Sequence, residues 1–274
     1  MLSMSAEPNL LAQIIHDRAL TVLFQPIVLF SKRDIFGFEG LIRGPSDTHL
    51  HSPLNLFDAA GRTSALADLQ GLCQELIIQR YQQLRLPGKL FLNVNPCVIL
   101  EPGPNYCGLI ELLSQNEIPT SQVVIELTEQ QPITDYALMR EATEYYRTTG
   151  FAIAIDDLGA GYSGLRSWSE LRPDYVKVDR HFIQNIHEDS TKCQFVRSIL
   201  EITQNLNCRV IAEGIETAQE YTVVKEMGIE LGQGYYFGRP HIQPVISVPL
   251  LRPLWSLNLF RATPPAVRKQ SPIC

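Results

Sequence analysis

Acidic and amide side chains recur in this 274-residue sequence at the ends of short apolar runs. Glu39 lies in Phe38-Glu39-Gly40-Leu41-Ile42-Arg43, and Asn93 and Asn95 lie in Leu92-Asn93-Val94-Asn95-Pro96. Glu126 and Glu129 share Ile125-Glu126-Leu127-Thr128-Glu129, and Asp156-Asp157 precede Leu158-Gly159-Ala160-Gly161-Tyr162-Ser163. Lys177 and Asp179, Glu213 and Glu216, and finally Gln233 follow. Any one such acid reads as a helix N-cap or a solvated loop residue. Gathered at one place, Glu39, Glu126, Asp156, Asp157 and Glu213 pose a charge problem. Two like charges about 4 Å apart repel by about 4 kcal/mol at an effective dielectric near 20. Five uncompensated carboxylates would therefore outweigh a domain's stability of about 5–15 kcal/mol. They must protonate, stay wet and apart, or bind cations, and the single charge of Lys177 is insufficient. Hard oxygen ligands with a neutral asparagine favour Mg2+ or Mn2+ over zinc. Adjacent aspartates suit a two-metal site in which one carboxylate bridges and its neighbour holds the second ion.

Such a gathering needs elements that converge. Short runs rich in Val, Ile and Phe read as strands at Val22–Phe30, Ile35–Ile42, Lys89–Val94, Val123–Leu127, Phe151–Ile155, Tyr175–Val178, Arg209–Ala212 and Gly234–Phe237. Several are apolar on both faces, as strands covered by helices are. Between them, Ala65–Gln83, Thr134–Thr149, Ser190–Asn205 and Thr217–Met227 carry helical periodicity, and Leu66, Leu69, Leu72, Cys73, Leu76 and Ile77 form one apolar face. Gly150, Asn207 and Gly228 suit C-terminal caps. The alternation predicts an α/β fold, a TIM-like (β/α)8 barrel whose strand ends share one mouth. Only Ser31-Lys32-Arg33-Asp34 separates the first two strands, too short for a crossover helix, so the first strand is expected to be antiparallel. A helix over Asn9–Arg18 is expected near the barrel's N-terminal end.

Composition narrows the class. With 45% hydrophobic and 19% charged residues the chain can bury a large core, and its net charge of −6 argues against binding duplex nucleic acid. None of the six cysteines forms a CxxC pair, which disfavours zinc and a disulfide framework and suits reduced thiols in the cytoplasm. Met1–Asn9 lacks the pattern of a secretory signal, and no apolar stretch reaches the roughly 18 residues of a membrane span. His49 and His51 read as solvated, Trp168 as a packing residue, and Tyr145-Tyr146 as core or rim. The barrel is expected over residues 1–245. Residues 246–274, rich in proline, are expected to form a last helix around Leu250–Phe260 and a tail or linker.

The motifs, in order, resemble the EAL family of cyclic di-GMP phosphodiesterases. The likeness runs from about Thr21 to Pro240 through Gln25-Pro26-Ile27, Glu39-Gly40-Leu41-Ile42-Arg43, Asn93-Val94-Asn95-Pro96, Glu126-Leu127-Thr128-Glu129 and Asp156-Asp157 with the loop to Ser163. It continues through Lys177-Val178-Asp179-Arg180, Ala212-Glu213-Gly214-Ile215-Glu216-Thr217 and Gln233-Gly234-Tyr235. The resemblance implies cyclic di-GMP as substrate, with linear pGpG as product. It implies that Glu39, Asn93, Glu126 and Asp156 hold a first Mg2+ or Mn2+, with Asp156 bridging to a second ion held by Asp157 and Glu213. Lys177 and Glu213 would act on the attacking water, and Glu129 would fix the loop after strand five. Arg43 would grip a substrate phosphate, Gln25, Leu41 and Asp179 would contact substrate, and Gln233 would help order the site. The strand-five loop region would also carry a homodimer contact.

Four departures from the family pattern stand out. Glu-Ala-Leu reads Glu39-Gly40-Leu41, at the expected cost of some strand rigidity and one methyl contact. Leu158 replaces a usual Phe. Ala160 replaces a usual Thr, and Gly164 follows Ser163 where a second Ser is common. None is an expected ligand. The competing readings are a non-catalytic cyclic di-GMP receptor or protein-interaction module of the same fold, and another metal-dependent barrel enzyme such as an enolase-type lyase.

Overall fold

The computed structural model of the chain describes residues 6–96, 98, 105–128, 133, 135–158 and 164–247. The strands are β1 Thr21–Leu29, β2 Asp34–Arg43, β3 Lys89–Val94, β4 Val123–Thr128, β5 Ala152–Leu158, β6 Tyr175–Val178, β7 Arg209–Ala212 and β8 Leu231–Gln233. They close into one barrel in sequence order. β1 runs antiparallel to both of its neighbours, β2 and β8, and the remaining ladders are parallel. The expected α/β barrel with an antiparallel first strand is therefore the observed fold. Outside it lie α1 Ala6–His16, α2 Pro53–Gly61, α3 Leu66–Leu84, α4 Asn105–Gln115, α5 Tyr136–Thr148, α6 Gly164–Leu171, α7 Arg180–Ile183, α8 Ser190–Leu206 and α9 Ala218–Glu226.

Local chemistry sets many of these boundaries. Asp135 and Asp189 cap α5 and α8 by accepting from backbone N–H groups, and Thr217 with Glu220 forms a capping box at α9. Gly150 (φ +101°), Asn207 (φ 53°) and Gly228 (φ +95°) end their helices in the left-handed region, as their residue types suggested. One face of the barrel wall is covered by a cluster that includes Leu11, Ile14, Leu69, Cys73 and Ile77. A second cluster, including Val196, Val210 and Val224, covers the side under α8 and α9. Inside the barrel, Ile27, Phe91, Val124, Ala154, Tyr175, Ile211 and Leu231 form an apolar floor.

Two expectations are corrected. The last strand is Leu231–Gln233, not Gly234–Phe237. Pairing with β1 reaches only Ile27↔Gln233, after which Phe237 N–H and Gly238 N–H both bond back to the Gly234 carbonyl in a turn. A Cβ at Gly234 would lie 2.1 Å from the Ile215 carbonyl oxygen, so the chain crosses another backbone there. The aromatic residues that looked strand-like, Tyr236 and Phe237, pack instead against Tyr221. The first helix also differs in place. Because β1 is antiparallel, Thr21 pairs with Arg43 at the end of β2, so α1 leads into the barrel where the parallel strands finish rather than where they start. The proposed helix around Leu250–Phe260 lies outside the described residues.

Candidate functional site

Side chains two residues apart on a strand share a face. Each floor residue is therefore followed toward the mouth by a polar one: Phe91 by Asn93, Val124 by Glu126, Ala154 by Asp156, Tyr175 by Lys177, Ile211 by Glu213 and Leu231 by Gln233. In antiparallel β1 the order reverses, so Gln25 precedes Ile27 and pairs with Glu39 of β2. Each of the eight strands thus sends one polar side chain into a single layer above the floor.

Lys177 stands at the centre of that layer, 1% exposed. Its Nζ lies 2.9 Å from Glu126 Oε1, Asp156 Oδ1 and Glu213 Oε1, and 3.3 Å from Glu39 Oε2. Gln233 Nε2 donates to Glu39 Oε2 at 2.6 Å and to Gln25 Oε1 at 2.9 Å, and Asn93 Nδ2 donates to Glu39 Oε1 at 3.0 Å. Four carboxylates face one ammonium, and their titration records the imbalance. Burial pushes Glu126 and Glu213 well above the ordinary carboxyl value, against the pull of Lys177 and with repulsion from their acidic neighbours. Asp156 is raised for the same reasons. Glu39 goes the other way: burial would raise it, but Lys177 and the amides of Gln233 and Asn93 bring it below the ordinary value. Burial alone would lower Lys177, and the four carboxylates override it and hold the ammonium well above its usual range.

Asp156 and Asp157 are consecutive, and a regular strand would send them to opposite faces. β5 avoids this with a bulge. Ile155 pairs with Val176 and Leu158 with Val178, so β5 spends one more residue than β6, and Asp157 takes φ 56°. Ile155 and Leu158 both pack outward with Trp168, so both aspartates turn toward the mouth. Leu158, one of the departures, belongs to this outer packing and not to the site.

The result is two overlapping carboxylate sets. Glu39, Glu126 and Asp156 each offer an oxygen within 4.8 Å of the others, and so do Asp156, Asp157 and Glu213. Asp156 is common to both. Glu126 is fully buried, and its Oε2 finds neither a hydrogen bond nor an ion pair among the described residues. An orphaned carboxylate oxygen, three acids held above their ordinary values and an all-oxygen donor set fit divalent cations that prefer oxygen.

The other expected residues take varied places. Leu41 and Arg43 share the face of Glu39, one and two steps further up the mouth, with Leu41 opposite Leu23. The Arg43 guanidinium donates to the Ile42 carbonyl at 2.7 Å. Gln25 also donates to the Gly238 carbonyl at 3.2 Å. Asp179 caps α7, accepting from His181 N–H at 2.7 Å. Glu129 and the loop residues 159–163 lie outside the described residues. His51 bonds the Gly44 carbonyl and Trp168 is buried, and neither joins the layer. The missing methyl of Gly40 is not simply lost: a Cβ there would lie 2.5 Å from Ile77 Cγ2, so α3 fills the space.

Two supporting residues escaped the sequence reading. Glu220 accepts from the N–H groups of Asn185, Glu216 and Thr217, tying down the chain after Glu213. Gln70 bonds the end of β3 from within the buried face of α3. A glutamine in phase with Leu66, Cys73 and Ile77 was the available signal, since a polar side chain on an apolar stripe needs partners.

Comparison with known proteins agrees with this geometry. The sequence matches the EAL domain over residues 9–240. It is 30% identical over 242 residues to the cyclic di-GMP phosphodiesterase NbdA of Pseudomonas aeruginosa, covering 84% of this chain and 30% of that protein. It is 26% identical over 226 residues to the blue light- and temperature-regulated antirepressor BluF of Escherichia coli, covering 82% of this chain and 55% of that one. Of two other relatives, from Azorhizobium caulinodans and Caulobacter vibrioides, it spans 31% and 28% of the length. Among solved structures, a standalone EAL protein from Vibrio cholerae with cyclic di-GMP bound superposes with a TM-score of 0.76 at 32% identity, over 84% of this chain and 95% of that one. BlrP1 of Klebsiella pneumoniae, solved with manganese and cyclic di-GMP, gives 0.76 at 31% identity, over 84% of this chain and 58% of that one. A barrel with one antiparallel strand, an acidic layer at its mouth and a sequence match spanning both agree: the chain belongs to the EAL domain family.

Proposed function

We propose that the chain is a divalent-cation-dependent phosphodiesterase that hydrolyses cyclic di-GMP to linear pGpG. The observation that carries this reading is the pair of carboxylate sets sharing Asp156, in a family that includes structures solved with cyclic di-GMP. Glu39, Asn93, Glu126 and Asp156 would hold one Mg2+ or Mn2+, and Asp156, Asp157 and Glu213 the other. Bound there, the two ions would ease proton loss from water and offset charge on the phosphoryl oxygens.

The chain's own groups divide the remaining work. Water adds to one phosphorus, the P–O3′ bond breaks, and the leaving oxygen takes up a proton. Lys177 is held protonated by four carboxylates, so it donates a hydrogen bond and orients the water rather than taking its proton. The Glu213 carboxylate lies 2.9 Å from Lys177 Nζ, which places it beside the water that Lys177 orients to accept that proton. Gln233 locks Glu39 in place. Arg43 would grip a phosphate at the rim, with Gln25, Leu41 and Asp179 as further substrate contacts. Glu129 would steady the loop after β5, and a homodimer would form near that loop. No helix of the described residues is long and apolar enough to cross a membrane. Among the described residues Cys73, Cys193 and Cys208 are free thiols, which suits a cytoplasmic site of action.

The test is incubation of the purified chain with cyclic di-GMP, with Mg2+, with Mn2+ and with chelator, separating products by chromatography. We expect pGpG only with cation, and none from Glu39→Ala or Asp156→Asn. Unchanged turnover in either variant removes the cation assignment. Binding without turnover under every cation selects instead a cyclic di-GMP receptor, and neither binding nor turnover selects a protein-interaction module, the reading favoured by the likeness to a protein named as an antirepressor.

A further inference from the structure

Gln70 is 3% exposed, and it uses both ends of its amide on one strand. Its Nε2 donates to the Asn93 carbonyl at 3.0 Å, and its Oε1 accepts from Asn95 N–H at 3.2 Å. The β2–β3 ladder stops at Gly40↔Leu92, while on the other side β3 stays paired with β4 through Asn93↔Glu126 and Val94↔Leu127. On the side that β2 has left, the carbonyl of Asn93 and the N–H two residues on would have no strand. Gln70 bonds both, in the pattern that one residue of a parallel strand opposite Val94 would make. β3 is thereby prolonged by a side chain up to the level of the acidic layer.

The residue so held is Asn93. Its Nδ2 is spent on Glu39 Oε1, which leaves Oδ1 as the one atom the amide can offer a cation. Its side chain is exposed in the mouth, so packing does not clamp it. Ile77, two helical turns after Gln70 on the same face of α3, seats against Gly40 beside Glu39. One helix face thus touches both strands whose side chains make the Asn93–Glu39 pair.

We infer that Gln70 is a positioning residue for the first cation, acting through the backbone of Asn93 to set its Oδ1 against Glu39 and Glu126. The inference rests on reading the carboxylate sets as cation sites. Partners of this kind, one bond removed from a ligand, typically change metal affinity by about 10–100-fold.

Calorimetric titration of Mn2+ into the 274-residue chain tests this without any turnover. Gln70→Leu keeps the bulk and loses both bonds, and we expect it to weaken Mn2+ binding about 10–100-fold. In an Asn93→Ala background the same change is expected to weaken binding by less than about threefold, because the group Gln70 acts on is gone. Equal weakening in both backgrounds, or unchanged affinity in a folded Gln70→Leu, overturns the inference. Should Gln70→Leu fail to fold, Gln70→Glu keeps the acceptor for Asn95 N–H, loses the donor to Asn93 and is read the same way. Loss of the fold in both variants makes Gln70 a determinant of folding and also overturns the positioning role. Mn2+ binding without hydrolysis of cyclic di-GMP counts against the phosphodiesterase reading alone, whereas no Mn2+ binding by the unaltered chain removes both.

Discussion

Lys177 occupies the place in the acidic layer where positive charge is most needed, and it supplies too little. Four carboxylates contact its ammonium, and in the cation-free protein burial and mutual repulsion hold Glu126, Asp156 and Glu213 above their ordinary values. The sign of the pH dependence follows. These carboxyls keep protons that the unfolded chain gives up near its ordinary values of 4.5 for glutamate and 3.8 for aspartate, so they cost stability as pH rises through that window. The Lys177 contribution runs oppositely in place: it is fully present below about 10.5 and lost only above. A cation must displace the carboxyl protons to bind, so Mn2+ affinity is expected to rise with pH and binding to release protons. Calorimetry in buffers of different ionisation enthalpy reads that release directly, and proton uptake would contradict the assignment. Lys177→Met leaves the four acids without their ammonium. Breaking a buried pair costs about 3–5 kcal/mol, and the thermal midpoint is expected to fall further in chelator than in Mn2+. An equal fall in both would mean that Lys177 does not stand in for cation charge.

At the scale of elements, β5 and β2 decide how those side chains are aimed. The bulge in β5 needs a left-handed residue at Asp157, a conformation that asparagine also tolerates and alanine resists by about 1–2 kcal/mol. Asp157→Asn is therefore expected to keep the thermal midpoint while losing turnover and one of two Mn2+ equivalents, and Asp157→Ala to lose stability as well. Two ions still bound by Asp157→Asn would remove Asp157 from the second set. In β2, restoring the family's alanine at Gly40 is expected to harm this chain. The new methyl would meet the β-branch of Ile77 at 2.5 Å, and overpacking of this kind costs about 1–3 kcal/mol. Gly40→Ala should lower the urea midpoint, and adding Ile77→Leu, which carries its branch further from the strand, should recover part of the loss. A neutral Gly40→Ala would show that α3 yields easily.

For the whole molecule, closure of the barrel depends on its exceptional strand. β1 bridges β2 and β8 in antiparallel sense, so the segment before it enters at the mouth, and α1 packs on α2 and α3 there. Leu11 and Ile14 of α1 are buried in the larger outer cluster. At about 1.5–3 kcal/mol per buried aliphatic side chain, deleting residues 1–18 is expected to remove roughly 3–6 kcal/mol of stability. The Arg18–Glu75 ion pair, exposed at Arg18 and half-buried at Glu75, adds little. A truncated chain with an unchanged thermal midpoint would show that α1 covers the barrel without supporting it.

Much of this was legible in the sequence. The bounds of β3, β6 and β7 follow from short apolar runs, and the antiparallel start follows from a connection too short to hold a helix. The acidic layer is legible for a related reason, because a two-residue repeat along each strand is local information. The eighth strand misled because glycine followed by aromatic residues satisfies strand propensity, while the competing demand, the Ile215 backbone at 2.1 Å from a Cβ at Gly234, comes from a loop 19 residues earlier in the chain. Gln70 and Ile77 looked like members of one helix face, and nothing local says which strands that face touches.

By itself, then, the sequence named the acids and amides from which the layer is drawn and posed their charge problem, since residue type and strand period carry both. Only the tertiary structure decided that Asp156 and Asp157 point the same way, that Lys177 sits among four acids, and that α3 touches the strands carrying Glu39 and Asn93. Each of these depends on a register or a contact between segments distant in the chain, which barrel closure creates.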